Sequence, residues 1–492
     1  MRSTIKIVIL LFFICTSMSG ASFPDMEKYM RQHALIWEQL PMQWNEGAFL
    51  GNGLVGMMVY ADSTLNALVF HLGRPDVTDH RKAPYRKTSI GTEEADKMVD
   101  FCRLDVGKML LFPEGKILSG TFYLDIYNAE LTGHLKTDKG DLTFHAYTPQ
   151  PEEVNIVEVS SGVPYRWKGI PGNPCSPRIR VFPHLKEKLK YKDNPAPVVD
   201  QKDKEGSWVQ SLLAGGDYAT YWKEVPGGKS RSVLYVSTAN EVPASSLSLA
   251  KAMKTVEATQ ITGTKLLKQK TRQWWNAYHE RSFLSIPDKK LENFYFIQMY
   301  KLATCSHPDG PAMDVMGTFF KLSPWPSFWW NLNIQLTYMP IGPANRMEQG
   351  KNFQRLMDEV FPSLVRSIEP CKIGDYTWAL QNYYMYLRYA GADWQDIKQQ
   401  VVPKALDAFA VFDKILCYKE NTWHLTHIES PEYEGFQKYN DSNYGLASLS
   451  WLLQTLIACH DRTSSTHPDY ARWKEILTRL ACLLYTSPSP RD

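Results

Sequence analysis

The sequence predicts two unlike parts: an N-terminal antiparallel β-sandwich and a C-terminal array of paired α-helices, joined by linker helices. Three observations predict this. From about Trp37 to Asn240, short runs alternate apolar and polar residues with turn residues between them, and no helical pattern separates the runs. From about Ser245 the apolar spacing changes to the three-and-four interval of a helix face. The segments that follow are joined by short connections containing Gly or Pro, which set consecutive helices side by side in opposite directions.

Composition bounds the class. The chain has 492 residues, 44% hydrophobic and 22% charged, which suits a water-soluble globular protein of two to four domains. Lys and Arg total 55 against 52 Asp and Glu, a net of +3, so nothing points to nucleic acid or an acidic membrane surface as partner. Aromatic residues are plentiful (Trp 15, Tyr 26, Phe 21), and such rings either fill cores or stack on sugar faces.

Residues 1–21 have the pattern of a secretory signal. Arg2 and Lys6 precede the apolar run Ile7–Ile14, and small residues follow at Ser17, Ser19, Gly20 and Ala21. The run is well short of the ~20 residues of a membrane span. Cys15 follows Ile14 where a lipoprotein anchor wants a small residue, so the expectation is a secreted or periplasmic protein without an anchor. The other cysteines (Cys102, Cys175, Cys305, Cys371, Cys417, Cys459 and Cys482) show no Cys-x-x-Cys or finger spacing and suit small buried hydrophobes. Residues 483–492 (LLYTSPSPRD) resemble an appended non-native tail.

In chain order, strands are expected at Leu54–Tyr60, Ala67–Leu72, Thr121–Thr132, Leu142–Tyr147, Asn155–Val159, Arg178–Phe182, Trp208–Leu213, Thr220–Val225 and Val233–Ser237, with a hairpin turn at Asp138-Lys139-Gly140. This β domain spans 22–243. A helical linker over 244–288 carries Leu266, Leu267, Trp274 and Trp275 on related faces and stops at Ile286-Pro287-Asp288. Helices then follow at Lys290–Ser306, Ala344–Leu364, Tyr376–Ala390, Asp393–Cys417, Ser442–Asp461 and Pro468–Leu480, within a domain over 289–482.

Four stretches carry candidate chemistry. In Trp325–Pro340, Asn331 and Asn333 stand at i and i+2 amid Trp329, Trp330 and Tyr338. Read as extended chain they share a face, where two amides grip a hydroxyl or aim a water; read otherwise they cap the next helix. In His424–Gly435, Glu429 and Glu432 flank Pro431, whose fixed φ holds the chain rigidly. A carboxylic acid kept protonated in an apolar, aromatic setting protonates a departing glycosidic oxygen. His424 and His427 lack a third ligand at metal spacing and suit pocket or packing positions, so no metal or other cofactor is expected. In Gly374–Tyr386, Trp378, Gln381 and Asn382 span one helical turn and share a face suited to pocket lining or to loop contacts. Glu46–Tyr60 is glycine-rich but has no phosphate-loop Lys, and its glycines suit tight turns into a strand.

In this order the motifs resemble glycoside hydrolase family 95, the α-L-fucosidase and α-L-galactosidase enzymes, or a close relative in the same clan. The residues that carry the resemblance are Leu50-Gly-Asn-Gly-Leu-Val-Gly-Met-Met-Val-Tyr60, Thr271–Asp288, Asn331-Leu-Asn-Ile-Gln-Leu-Thr-Tyr338, Trp378-Ala-Leu-Gln-Asn382 and Ser430-Pro-Glu432, from about residue 35 to 482. The resemblance implies a β-sandwich (supersandwich) followed by an (α/α)6 barrel and an inverting hydrolase of terminal α-linked sugars. Glu432 would be its general acid, Asn331 and Asn333 would position the attacking water, and Trp329, Trp330, Tyr338, Trp378, Gln381, Asn382 and His427 would contact the sugar. Inversion places the two catalytic groups roughly 6.5–9.5 Å apart. Three departures stand out. Nothing here matches the family's base motif, Asn382 stands where the family has His, and Ala312–Gly317 replaces an Asn-Leu-Gln-Gly-type run. Twelve barrel helices with their loops need on the order of 350 residues, against about half that in 289–482, so the expectation is a truncated barrel, an inactive fragment and an exposed apolar edge. Two other functions suit the same residues: a polysaccharide lyase in which Tyr439 and His427 move a proton, and a catalytically inactive sugar-binding relative.

Overall fold

The computed structural model describes residues 25–81, 97–241, 247–328, 330, 332–429 and 437–483. The proposed signal, the tail from 484, and Trp329, Asn331 and Glu432 lie outside the described residues.

Two antiparallel sheets form the N-terminal part. The larger has the order β1(Leu35–Trp37), β6(Ile117–Asp125), β7(Glu130–Thr137), β8(Gly140–Tyr147), β9(Asn155–Ser161), β14(Arg231–Glu241), β13(Asp217–Gly228), β12(Glu205–Ser211) and β11(Val198–Gln201). The smaller has the order β10(Tyr165–Ile170), β5(Lys108–Pro113), β4(Ala67–Gly73), β3(Gly56–Asp62) and β2(Ala48–Gly51). They pack face to face: Phe70 of β4 meets Phe144 of β8 edge-on at 5.5 Å between ring centroids, and Trp167 of β10 closes on Phe70 at 5.4 Å. Aromatic and β-branched side chains from both sheets thus form one core.

Two expected strands differ. Thr121–Thr132 is not one strand but the end of β6, a turn, and the start of β7. Asp125 accepts hydrogen bonds from the backbone N–H groups of Tyr127 and Asn128, and Ala129 takes φ +55°, so an Asx-type turn interrupts an alternation that continues on either side. Arg178–Phe182 is not a strand: Pro177–Val181 is a short helix (α2), because Pro177 supplies a ready-made helical φ at its first turn. The remaining short helices of this part are α1(Met26–Met30) and α3(Leu185–Lys188).

The linker splits at Gly263 (φ +79°) into α4(Ser248–Thr262) and α5(Thr264–His279). Ala252 and Val256 of α4 cover Tyr147, Ile156, Tyr221 and Tyr235 on the outer face of the larger sheet. The next helix, α6(Lys289–Cys305), starts where Asp288 caps the N–H groups of Lys290 and Leu291. It serves both cores: Phe296, Tyr300 and Ala303 pack with the sandwich, while Met299 and Leu302 pack with the helical region.

The helical region continues with α7(Asn333–Tyr338), α8(Lys351–Glu359), α9(Phe361–Ser367), α10(Ile373–Tyr389), α11(Trp394–Gln400), α12(Val402–Phe412), α13(Asn443–Thr463) and α14(Tyr470–Arg479) around its own core. Two expected long helices are divided, α8 from α9 ahead of Pro362 and α11 from α12 ahead of Pro403, since each proline removes an N–H from the ladder. The last two residues expected in the second of these helices, Leu416 and Cys417, instead enter the hairpin β15(Leu416–Lys419)–β16(Thr422–Leu425), turned at Glu420 and Asn421, both with positive φ. A smaller pair, β17(Ile428–Glu429) with β18(Lys438–Tyr439), follows. Apolar side chains remain exposed on this part, Leu291 and Phe294 on α6 and Leu336 on α7 among them. Among the described residues no helix is long and apolar enough to cross a membrane.

Candidate active site

The chain leaving α6 runs along the sandwich before it reaches the first motif. Fully buried Arg103 donates to the carbonyls of Gly317 (2.6 Å) and Thr318 (3.4 Å) and pairs with Asp314 (3.1 Å). Glycines allow backbone to touch backbone here. A Cβ on Gly73 would lie 2.1 Å from the Thr318 carbonyl oxygen, and one on Gly53, whose φ is +83°, 2.3 Å from the Ser306 carbonyl carbon. Buried Asn52 holds that turn with every polar atom engaged. Its amide donates to Pro149 and Glu152, and its carbonyl accepts from Leu54 and Val55 N–H. The glycine-rich stretch therefore makes turns into β3 and a seat for the 306–320 segment.

Beyond that seat, Trp330 packs into the helical core, edge-on to Phe328 (4.9 Å) and Tyr376 (5.4 Å). Tyr338 is also a core member: its ring stacks on Phe353, and its hydroxyl accepts from Met313 N–H (2.7 Å) and donates to Asn352 (2.9 Å). Both rings are therefore core residues, not open sugar-stacking faces. The extended reading of this stretch gives way at Asn333, which is exposed and opens helix α7 after Leu332 turns at φ +60°.

α7, α10 and α13 converge. The Gln335 amide donates to the Asp375 carbonyl (3.0 Å), and Asn382 donates to the Gln335 carbonyl (3.0 Å). The Tyr444 hydroxyl donates to the buried Asp375 carboxylate (2.8 Å). Asp375 meets Tyr444 near the start of both helices, and Tyr384 meets Trp451 (6.0 Å) further along, so α10 and α13 run in the same direction. Between them opens a cavity of about 260 Å³, lined by Thr377, Trp378 and Gln381 of α10 and by Tyr444, Ala447, Ser448 and Trp451 of α13. That is just below the ~300–1,000 Å³ range of small-molecule sites. Indole, phenol, amide and hydroxyl groups facing one another can stack on a sugar ring and bond its hydroxyls.

The strands β17 and β18 lie at the same ends of these helices. β17 lies against the turn Pro370–Lys372 and the start of α10, and Ile428 fills the space a Cβ on Gly445 would need, 2.5 Å away. Glu429 is buried and pairs in register with Lys438. Asp441 braces the base of this hairpin by accepting from Leu425 N–H (2.8 Å) and bonding His424 (2.6 Å).

Of the residues singled out by sequence, Trp378 and Gln381 share the cavity. Asn382 turns from it toward Gln335, so the helical turn divides between two neighbours rather than presenting one polar face. His427 is exposed, with φ +54° and its N–H bonded to Asn440. Sequence reasoning passed over Asp375, Tyr444, Ser448 and Trp451. The last three recur at i, i+4 and i+7 along α13, a stripe visible in the sequence once the helix is placed. Among the described residues no cluster of His, Cys, Asp and Glu is arranged to hold a metal ion.

No family profile and no curated protein matches the chain. Solved structures do. A chain provisionally described as a kojibiose phosphorylase from human microbiome superposes over 92% of this chain and 70% of its own, with TM-score 0.61 at 10% identity. This chain thus shares the fold of a glycoside-active enzyme: a large antiparallel β region followed by a helical region. A GH92 α-mannosidase from Bacteroides thetaiotaomicron is more distant. It has TM-score 0.32 at 7% identity, over 85% of this chain and 72% of its own. With mannoimidazole bound, the values are 0.36 at 8%, over 88% and 61%. At those scores it carries no argument.

Proposed function

We propose that this chain is an exported glycoside-active enzyme that cleaves terminal α-linked sugars of the L-fucose or L-galactose type with inversion. Glu432 is the general acid, Asn331 and Asn333 align the nucleophile, and Trp378 and Gln381 hold the sugar. The observation that supports this most is the convergence of α7, α10 and α13 with the β17–β18 pair beside a cavity walled by Trp378 and Trp451, in a fold shared with a glycoside phosphorylase. Export rests on the signal-like residues 1–21.

A carboxylic acid at residue 432 lowers the barrier by protonating the leaving oxygen as the glycosidic bond breaks, while the nucleophile enters from the opposite face. The nucleophile is water or phosphate. The likeness to a kojibiose phosphorylase favours weighing phosphate, which attacks as an anion and needs no base.

The test, made on the whole gene product, is turnover of aryl α-L-fucosides and α-linked disaccharides with and without inorganic phosphate, with the product anomer followed by proton NMR. Hydrolysis releases free sugar at a phosphate-independent rate; phosphorolysis yields the sugar 1-phosphate. Glu432→Gln should lower the rate by about 10²–10⁴-fold. An unchanged rate in that variant removes the assignment of the acid, and an unsaturated product absorbing in the near ultraviolet replaces the reading with a lyase.

A further inference from the structure

The outer face of the larger sheet is divided in two. Under α4 it is apolar, with Tyr147, Ile156 and Tyr235 covered by Ala252 and Val256. Two residues along β8 and β9, and still on the same face, it turns polar at His145 and Glu158, with Val233 of β14 beside them, and opens into a groove of about 940 Å³ bounded on one side by α5. The strand register lays out two rows across this opening. One runs Thr132, His145, Glu158; the other runs His134, Thr143, Ser160, Arg231. The facing stripe of α5 adds Lys265, Lys268 and Arg272, while its opposite stripe, Leu267 and Trp275, is buried.

The charges in the groove are ordered. Arg272 grips Glu130 with two hydrogen bonds (2.5 and 2.7 Å), His145 bonds the same carboxylate (2.9 Å), and Lys268 bonds Glu158 (2.8 Å). Both carboxylates are therefore matched by groups already in the wall. Arg231 and Lys265 remain, both exposed and without an ion-pair partner among the described residues. The floor between them carries hydroxyls and imidazoles. These two cations beside a bed of hydroxyls and imidazoles suit a ligand that carries carboxylates among many ring hydroxyls. A denser polyanion would press its extra charges on Glu130 and Glu158.

We propose that this groove is an accessory binding site for a uronate-bearing glycan, with Arg231 and Lys265 meeting carboxylates and the two polar rows meeting ring hydroxyls. It is separate from the cavity between α10 and α13 and does not depend on the function proposed for that cavity.

The experiment is calorimetric titration of the whole chain with an oligogalacturonate and with its methyl-esterified counterpart, which keeps the backbone and removes the charge. The free acid should bind, the ester at least about tenfold more weakly, and binding should weaken with added salt. Arg231→Glu with Lys265→Glu should lower affinity for the acid by about tenfold or more while the circular dichroism spectrum stays unchanged, and Lys265→Ala alone should give a smaller loss. Trp378→Ala, in the other cavity, should leave this binding intact, so a failed active-site assignment remains distinguishable. Equal affinity for acid and ester, unchanged affinity in the double variant, or equally tight binding of single-stranded DNA would each overturn the proposal.

Discussion

Three buried arginines show how differently the sandwich and the helical region handle charge. Arg103 ends on a carboxylate and two carbonyls, and Arg74, equally inaccessible, on Asp76, Glu153 and the Thr238 carbonyl. Arg346, where the helical core meets α5, stacks over the Tyr278 ring at 4.3 Å, beside that residue's hydroxyl, and has no carboxylate partner among the described residues. The contrast lies in the charges, not in every amide, since Gln150 in the sandwich and Gln349 in the helical region each leave both amide atoms unmatched. The difference teaches where rigidity is placed. The sandwich grips the 306–320 segment through a guanidinium that meets one carboxylate and two carbonyls, and that grip sets the approach to Trp330 and α7.

Breaking that grip should have the largest effect. Arg103→Met leaves the Asp314 carboxylate buried without its cation and two carbonyls without a donor, at a cost of about 3–5 kcal/mol. The urea midpoint should fall accordingly, and cavity binding should weaken with it. Asn52→Ala comes next. It strips partners from two backbone N–H groups and two carbonyls in one turn, for roughly 2–3 kcal/mol, again read in urea. If both variants kept wild-type midpoints, the sandwich would not be the rigid partner.

The same contrast explains what was legible in the sequence. Leu142–Tyr147 was visible because its core-facing residues alternate with less buried ones, so the alternation is a print of the core, while Ala67–Leu72, buried on both faces, was visible as a continuous apolar run. Helices such as Ile373–Tyr389 and Asn443–Thr463 were visible for the matching reason at the helical period. What hid was decided by turns. Glu420-Asn421 turns a hairpin without a glycine, Asp125 folds an alternating run back on itself, and Pro403 splits a helix that its flanking periodicity continues through. In the site, aromatic richness flagged the right neighbourhood but not the roles. Trp330 and Tyr338 face the core, Trp378 faces the cavity, and only tertiary packing tells such rings apart. Tyr444 and Trp451 come from a helix some seventy residues further along the chain from Asp375 and Tyr384, so no local motif could announce that they meet.

A third prediction sharpens the comparison through pH. Burial alone would raise the Glu130 carboxyl, but hydrogen bonds from Arg272 and His145 prevail and hold it at about 2. Burial opposes the charge on His145, yet bonds to Glu130 and Glu158 prevail and raise it above its ordinary 6.5. The carboxylate's contribution is complete above its unfolded value of 4.5 and is lost as pH falls from there toward 2. The imidazolium's contribution is complete below 6.5 and is lost as pH rises through its raised folded value. The pair therefore stabilises most fully between about pH 4.5 and 6.5. His145→Gln should flatten the alkaline limb of a stability–pH profile by about 1 kcal/mol, because Arg272 still serves Glu130. An unaltered alkaline limb would show that the network on the sandwich face is not coupled to folding.

The smallest expected effect tests the other side of the contrast. Burying a guanidinium without an anion costs free energy that stacking on an aromatic face only partly offsets, by about 2 kcal/mol at best. Arg346→Met keeps the length and the apolar stem against Tyr278 while removing the charge. It also removes the cation that, with burial, holds the neighbouring His279 imidazole down at about 3. The urea midpoint of this variant should be unchanged or slightly higher, opposite in sign to Arg103→Met although the two substitutions are chemically identical. A loss comparable with that of Arg103→Met would mean that Arg346 is compensated as fully as its counterpart, and the two regions would then differ in architecture but not in how they bury charge.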